Sequence, residues 1–78
     1  MTPKAGERWR RRRAVELGLT PRKLNGVQRT LLRHLLAFHE AAQNATTDTA
    51  RFRAMTSYQR TLDRLTSKAV RGWTYRRR

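Results

Sequence analysis

Arginine is the residue type in this sequence that carries the most evident chemistry. The chain has 19 Lys and Arg against 5 Asp and Glu, which gives a formal net charge of +14. Nearly all of these basic residues are arginine, whose planar guanidinium donates paired hydrogen bonds to phosphate and stacks on bases, whereas the lysine ammonium acts as a point charge. A surface selected only for solubility mixes both signs. The composition therefore favours an anionic partner, and nucleic acid in particular.

The basic residues fall into four groups along the chain. The first lies near the N-terminus, the second around residues 21–29, the third along the last predicted helix, and the fourth at the C-terminus. We expect the first and third groups to hold phosphates and the second to supply base contacts. The predicted nucleic-acid-binding residues are Arg8, Arg10, Arg11, Arg12, Arg13, Arg22, Lys23, Asn25, Gln28, Arg29, Arg53, Arg60, Arg64, Lys68, Arg71, Arg76, Arg77 and Arg78.

The other reactive residue types do not form a recognisable catalytic or metal site. His34 and His39 are five residues apart, which places them about 140° apart around a helix rather than on one face. The chain has no cysteine. The carboxylates are scattered, with no pair at a spacing that would aim both into one cleft; they are Glu7, Glu16, Glu40, Asp48 and Asp63. We therefore predict a protein that is not an enzyme and that uses no cofactor, no metal and no small-molecule substrate.

The hydrophobic pattern predicts an all-α fold. The length of the chain, 78 residues, suits one small domain. We predict a tail over 1–6, an Arg-rich helix over 7–17, a central helix over 20–43, an amphipathic basic helix over 48–71 and a basic aromatic tail over 72–78. The central helix is either continuous or broken at Asn25-Gly26, where Asn is a good N-cap and Gly a poor interior residue. A short polar loop between the last two helices predicts an antiparallel hairpin, with the first helix packed across it.

Two apolar stripes indicate how the hairpin packs. In the central helix the stripe is widened by Leu32 and Leu36, so we expect this helix to be the most buried. In the last helix one stripe is expected to face the core, with a ridge of basic residues on the other side. That stripe consists of Phe52, Met55, Tyr58, Leu62, Leu65 and Ala69. The ridge consists of Arg53, Arg60, Arg64 and Arg71, flanked by Lys68.

The stretch from Arg10 to Arg29 resembles the helix-turn-helix motif. Ala14 is the small residue where the two helices would cross, and Gly18 makes the turn four residues later. The usual apolar positions are held by Leu17, Leu19, Leu24 and Val27, but Arg13 stands where an apolar residue is expected. The resemblance implies a recognition helix over residues 21–29, with its Arg, Asn and Gln side chains facing base edges in the major groove.

Aromatic residues accompany two of the basic groups. Trp9 either anchors the first helix to the core or stacks on a base, and we favour the anchor. In the C-terminal segment, Trp73 and Tyr75 either stack on unpaired bases or fold back on the hairpin. Gly18 is expected to end the first helix and Gly72 the last.

The sequence thus predicts a small DNA-binding regulator, with structured RNA as the alternative nucleic acid. A DNA regulator of this size would dimerise, through Leu32, Leu36 or Phe38. A different interpretation is a small effector that docks its basic helices on an acidic protein surface. Binding to a membrane is disfavoured because no stretch reaches about 20 apolar residues and the amphipathic stripe is better used in the core. Because the N-terminus reaches its arginines before any apolar run, we expect an intracellular protein of the cytoplasm or nucleoid.

Overall fold

Helices make up most of the chain in the computed structural model, which describes residues 3–67. The elements are α1 (Pro3–Glu16), a 3-10 turn (Pro21–Lys23), α2 (Gly26–Asn44) and α3 (Asp48–Thr66), and no strand occurs among the described residues. The most extensive packing joins α2 to α3, and α1 packs mainly on α2. The predicted all-α class and its helical hairpin are confirmed. No helix among these elements is apolar enough over a sufficient length to cross a bilayer.

Helix α1 starts earlier than the sequence pattern predicted. It begins at Pro3 rather than at residue 7, so part of the predicted N-terminal tail is helical. Proline suits the first turn because its ring fixes φ near the helical value and because the missing N–H would lack an intrahelical partner there. Glu7 consequently lies in the second turn of α1 and not at its start.

The end of α1 follows the prediction made from Gly18. This glycine has a φ of 80°, in the left-handed region that other residues avoid. The N–H of Gly18 donates to the carbonyl of Val15 at 3.0 Å, and that of Leu19 donates to the carbonyl of Ala14 at 2.8 Å. These two bonds form a Schellman motif, which satisfies the last carbonyls of α1 and turns the chain back toward it.

The predicted central helix over 20–43 is divided in two. The 3-10 turn ends before Leu24, and Leu24 and Asn25 are extended, with ψ of 136° and 174°. The side-chain oxygen of Asn25 accepts from the N–H of Gln28 at 2.8 Å, and that of Gln28 accepts from the N–H of Asn25 at 2.9 Å. This reciprocal capping box fixes the start of α2 at Gly26. The single recognition helix over 21–29 implied by the helix-turn-helix resemblance is therefore interrupted.

The core lies where the three helices meet. Leu32, Leu35 and Leu65 are fully buried, and Leu31 and Ala14 complete the cluster. Each buried leucine contributes about 1.5–3 kcal/mol relative to an exposed one. The predicted apolar stripe of the central helix is thus confirmed over its leucines.

Two of the three residues predicted to form a dimer interface are buried within the chain. Leu32 is 1% exposed and Leu36 is 8% exposed, so neither side chain reaches a partner. Their assignment to an interface was wrong because the arc they widen is covered within the chain. Of the three residues proposed, Phe38 alone keeps partial exposure.

The predicted stripe of α3 is wrong over its first half. Phe52 is 70% exposed and Met55 is 57% exposed, whereas the buried residues of α3 are Ala54, Thr61 and Leu65. Small side chains at 54 and 61 let α3 approach the core closely, and the Thr61 hydroxyl satisfies itself by donating to the carbonyl of Ser57 at 2.8 Å. The buried face of α3 thus combines the small residues Ala54 and Thr61 with Leu65, and the large apolar side chains near the start of the helix lie beside that face.

Helix α3 ends at Thr66, before the predicted end at residue 71. Ser67 is the C-cap, and its N–H donates to the carbonyl of Arg64 at 3.2 Å. The predictions for Lys68, Ala69, Arg71 and the segment 72–78 lie outside the described residues.

Candidate nucleic-acid interface

A concave surface between α1 and the start of α2 brings together arginines that are distant in sequence. Its volume is about 170 Å³. Its lining includes Pro21, Leu24 and Leu32 and one carboxylate, that of Glu7. We call this surface the arginine cleft, after its four guanidinium side chains, those of Arg10, Arg11, Arg29 and Arg33.

The charge of the arginine cleft is almost uncompensated. Glu7 is the one acidic residue among the described residues that line it, and its Oε1 lies 3.7 Å from Nη2 of Arg11. Both side chains are more than half exposed, and exposed pairs of this kind contribute about 0–1 kcal/mol. No ion pair within residues 3–67 engages Arg10, Arg29 or Arg33. Their guanidinium groups are therefore available to an anion.

Two local motifs position the two sides of the cleft. The Schellman motif at Gly18 reverses the chain, so that α1 runs alongside the beginning of α2. The capping box at Asn25 then fixes the first turn of α2, in which the N–H of Arg29 donates to the carbonyl of Asn25 at 3.0 Å. Arg33 follows one turn later, on the same face as Arg29. The geometry of the cleft thus depends on the turn and the cap more than on the arginines themselves.

Arg33 is the residue of the cleft that the sequence analysis missed. Its signal is the spacing of four residues from Arg29, which places both side chains on one face of α2. The apolar residues of α2 indicate which face of the helix is buried. Arg33 lies outside that face, where α2 is opposite α1.

The remaining arginines of α1 divide into two kinds. Arg8 and Arg12 are exposed and have no ion pair in the described part of the chain. Arg13 has contacts within α1, because its Nη1 lies 3.0 Å from Oε1 of Glu16 and its guanidinium carbon lies 5.2 Å from the ring centroid of Trp9. Its side chain is still 33% exposed, so the predicted phosphate contact of Arg13 stays a prediction.

Trp9 joins the three helices instead of projecting into solvent. Its ring centroid lies 5.2 Å from that of His39, which in turn lies 6.5 Å from that of Tyr58. Trp9 and Tyr58 both pack against the buried core. The prediction that Trp9 anchors α1 is confirmed, and Tyr58 is a core-packing aromatic as expected.

Two residues predicted to read base edges are used in the capping box. Gln28 is 8% exposed and its side chain bonds to the backbone of Asn25, while Asn25 bonds back to Gln28. The side-chain oxygen of each residue is used at the start of α2, and Nδ2 of Asn25 is buried without a hydrogen-bond partner, so this geometry does not favour the predicted base contacts, which stay a prediction. Arg22 and Lys23, by contrast, are exposed on the 3-10 turn, directly after Pro21, which lines the arginine cleft.

The basic ridge of α3 is present in its described part but separate from the cleft. Arg53, Arg60 and Arg64 are exposed and fall within roughly 40° around the helix. None of the three lines the arginine cleft or forms an ion pair among the described residues. The structure thus divides the predicted phosphate contacts between a concave surface and a single helix face.

The described residues contain no group of three or more His, Asp or Glu side chains placed to hold a metal ion. Comparison with protein-family models, with curated protein sequences and with solved structures finds no match to this chain.

Proposed function

We propose that this protein is a non-enzymatic nucleic-acid-binding protein that holds phosphate groups in the arginine cleft. The observation that carries the proposal is the convergence of four arginines from two helices on one concave surface with a single carboxylate. Guanidinium groups bind phosphate oxygens through paired, charge-assisted hydrogen bonds. A formal charge of +14 adds long-range attraction to any polyanion.

The proposed contacts are made to the phosphate backbone and not to a particular base sequence. Duplex DNA is the first ligand to test, and structured RNA is the second. The interrupted segment at Leu24 and Asn25 removes the continuous recognition helix on which sequence-specific reading of a duplex depended. Arg22 and Lys23, which directly follow Pro21 of the cleft, remain as further backbone contacts. An intracellular place, in the cytoplasm or nucleoid, belongs to the same proposal because the ligand is found there.

The test compares two arginine pairs with identical spacing. Arg29→Ala/Arg33→Ala removes two charges from the cleft, and Arg60→Ala/Arg64→Ala removes two from the exposed ridge of α3. Binding to a mixed-sequence duplex and to a structured RNA is measured by fluorescence anisotropy across a salt series. We expect the cleft pair to lose more affinity and to flatten the log–log salt slope on duplex by about 1.8, at about 0.9 per phosphate contact.

Two results would contradict the proposal. Equal losses for the two pairs would show that the total charge, and not the cleft, determines binding. Failure of the unmodified protein to bind either ligand better than about 10⁻⁴ M near physiological salt would remove nucleic acid as the partner. The basic helices would then be tested against acidic proteins.

A further inference from the structure

A second concave surface lies between α2 and α3, near the other end of α2. Its volume is about 480 Å³, within the range of pockets that hold small organic groups. We call it the aromatic groove, because its walls include three ring side chains. The residues on which the argument depends are Phe38, His39, Gln43, Met55, Tyr58 and Gln59.

The aromatic groove combines apolar walls with hydrogen-bonding groups. The Nε2 of Gln59 donates to Oδ1 of Asp63 at 3.0 Å, which orients the amide and leaves its carbonyl oxygen as an acceptor. The Gln43 amide has no hydrogen bond to another described side chain. A ligand that enters the groove therefore meets flat apolar surfaces together with amide donors and acceptors.

One basic side chain lines the groove. It is Arg51, whose Nη1 lies 3.1 Å from Oδ1 of Asp48, a side chain fully exposed and not part of the lining. Among the described residues that line the groove there is no carboxylate. With the formal charge of +14 on the chain, these surroundings favour a planar group that carries negative charge.

The fold leaves the α3 side of this groove without an internal partner. Met55 is 57% exposed, and Phe52, one turn before it, is 70% exposed. Large apolar side chains exposed close together mark binding surfaces. Because α3 is buried through Ala54, Thr61 and Leu65 instead, the side chains of Phe52 and Met55 do not serve the core.

We propose that the aromatic groove receives an unpaired nucleobase of the nucleic acid whose phosphates bind the arginine cleft. This inference rests on the proposed function. Every base has a π face that stacks on aromatic side chains and an edge that bonds to amides, and the groove supplies both. The attached phosphate would lie beside Arg51.

A second copy of this chain fits the groove less well than a base does. Each copy brings a formal charge of +14, so two copies repel each other. A nucleotide brings the opposite charge. Charge complementarity thus selects an anionic occupant for the groove.

The experiment compares two single-stranded oligonucleotides of the same length and the same number of phosphates. One has ordinary bases, and the other carries a stable abasic sugar at each position. We expect the full chain to bind the base-containing strand at least about fivefold more tightly, since stacking of one base contributes that much or more. Met55→Ala and Gln43→Ala are expected to reduce this ratio toward one. Val15→Ala, which changes a side chain 61% exposed on α1, is the matched control and should leave the ratio unchanged.

The outcomes separate this inference from the proposed function. Tight, salt-dependent binding with equal affinity for both strands would overturn the groove proposal and leave the phosphate cleft standing. Binding to neither strand, nor to duplex or structured RNA, would overturn both. If sedimentation shows a dimer of the protein that Met55→Ala converts to a monomer, the groove is an interface between copies and the nucleobase proposal is wrong.

Discussion

The two ends of α2 border surfaces of contrasting chemistry. The N-terminal half contributes Arg29 and Arg33 to the arginine cleft, where charge is concentrated beside a few apolar side chains. The C-terminal half contributes Phe38, His39 and Gln43 to the aromatic groove, which is larger and mostly apolar. One helix thus presents groups suited to phosphate at one end and groups suited to a flat ring at the other.

The difference shows how one buried helix serves two surfaces. The leucines of α2 form most of the core. The residue types on the two flanks of α2 can therefore differ according to which helix lies beside them. Where α1 lies alongside, the flank is arginine-rich, and where α3 lies alongside, it is aromatic. A substitution should therefore affect both surfaces, one surface or neither, depending on which residue it replaces.

Leu35→Ala should have the largest effect, because it weakens the helix that both surfaces share. Leu35 is 0% exposed within the central cluster. Truncating a buried leucine to alanine costs about 2–5 kcal/mol through lost burial and the cavity left behind. Urea unfolding followed by circular dichroism measures this loss. Binding at both surfaces should weaken together; retention of full stability would place the core elsewhere.

Asn25→Ala should affect the cleft end of α2 more than the groove end. It removes the capping box with Gln28, at a cost of about 1 kcal/mol. Thr47→Ala is the matched change at the start of α3, where the hydroxyl accepts one bond from the N–H of Ala50 at 3.1 Å. Thermal unfolding compares the two variants. We expect Asn25→Ala alone to reduce duplex affinity, and a larger loss of affinity from Thr47→Ala would contradict the role given to the cap.

Arg13→Ala should reduce stability while leaving the salt slope of binding unchanged. Its cation–π contact with Trp9 and its ion pair with Glu16 together contribute roughly 0.5–1 kcal/mol. Arg12→Ala is the control on the same helix, since Arg12 is exposed and without an ion pair in the described residues. For Arg12→Ala we expect the opposite result, an unchanged free energy of unfolding and a flatter salt slope of binding. If the two variants behave alike, the internal role of Arg13 is refuted.

Glu7→Gln should have the smallest effect and should increase affinity. The change removes the one carboxylate among the described residues of the cleft and releases Arg11 from its pair at 3.7 Å. An exposed charge interaction of about 0.5–1 kcal/mol corresponds to roughly a two- to fivefold gain in affinity. Glu16→Gln, outside the cleft, is the control. A loss of affinity in Glu7→Gln would show that anions do not enter beside residue 7.

Much of the fold could be predicted from periodicity and end signals. The leucines of α2 recur at helical spacing and are buried as expected, and Gly18 ends α1 as its residue type indicates. The first half of α3 was mispredicted because large apolar side chains were expected to face the core. The buried residue there is Ala54, which a hydrophobic pattern does not emphasise.

The candidate site was less predictable because it depends on contacts between helices. The arginine clusters are visible in the sequence, yet their division is not: Arg13 contacts Trp9 and Glu16 on its own helix, while Arg10 and Arg11 line one cleft with Arg29 and Arg33. The aromatic groove could not be predicted either, since its walls come from residues of α2 and α3 that meet only after the hairpin forms.

Phosphate binding and base binding are expected to lie at opposite ends of α2. The most direct test measures two quantities, the salt slope of binding and the ratio of affinities for base-containing and abasic strands. They are measured in the unmodified protein, in Arg29→Ala/Arg33→Ala, in Met55→Ala and in the combined variant. We expect the arginine changes to lower only the salt slope, Met55→Ala to lower only the ratio, and the combined variant to lower both. If either variant alone changes both quantities equally, the two surfaces are one site and this expectation is wrong.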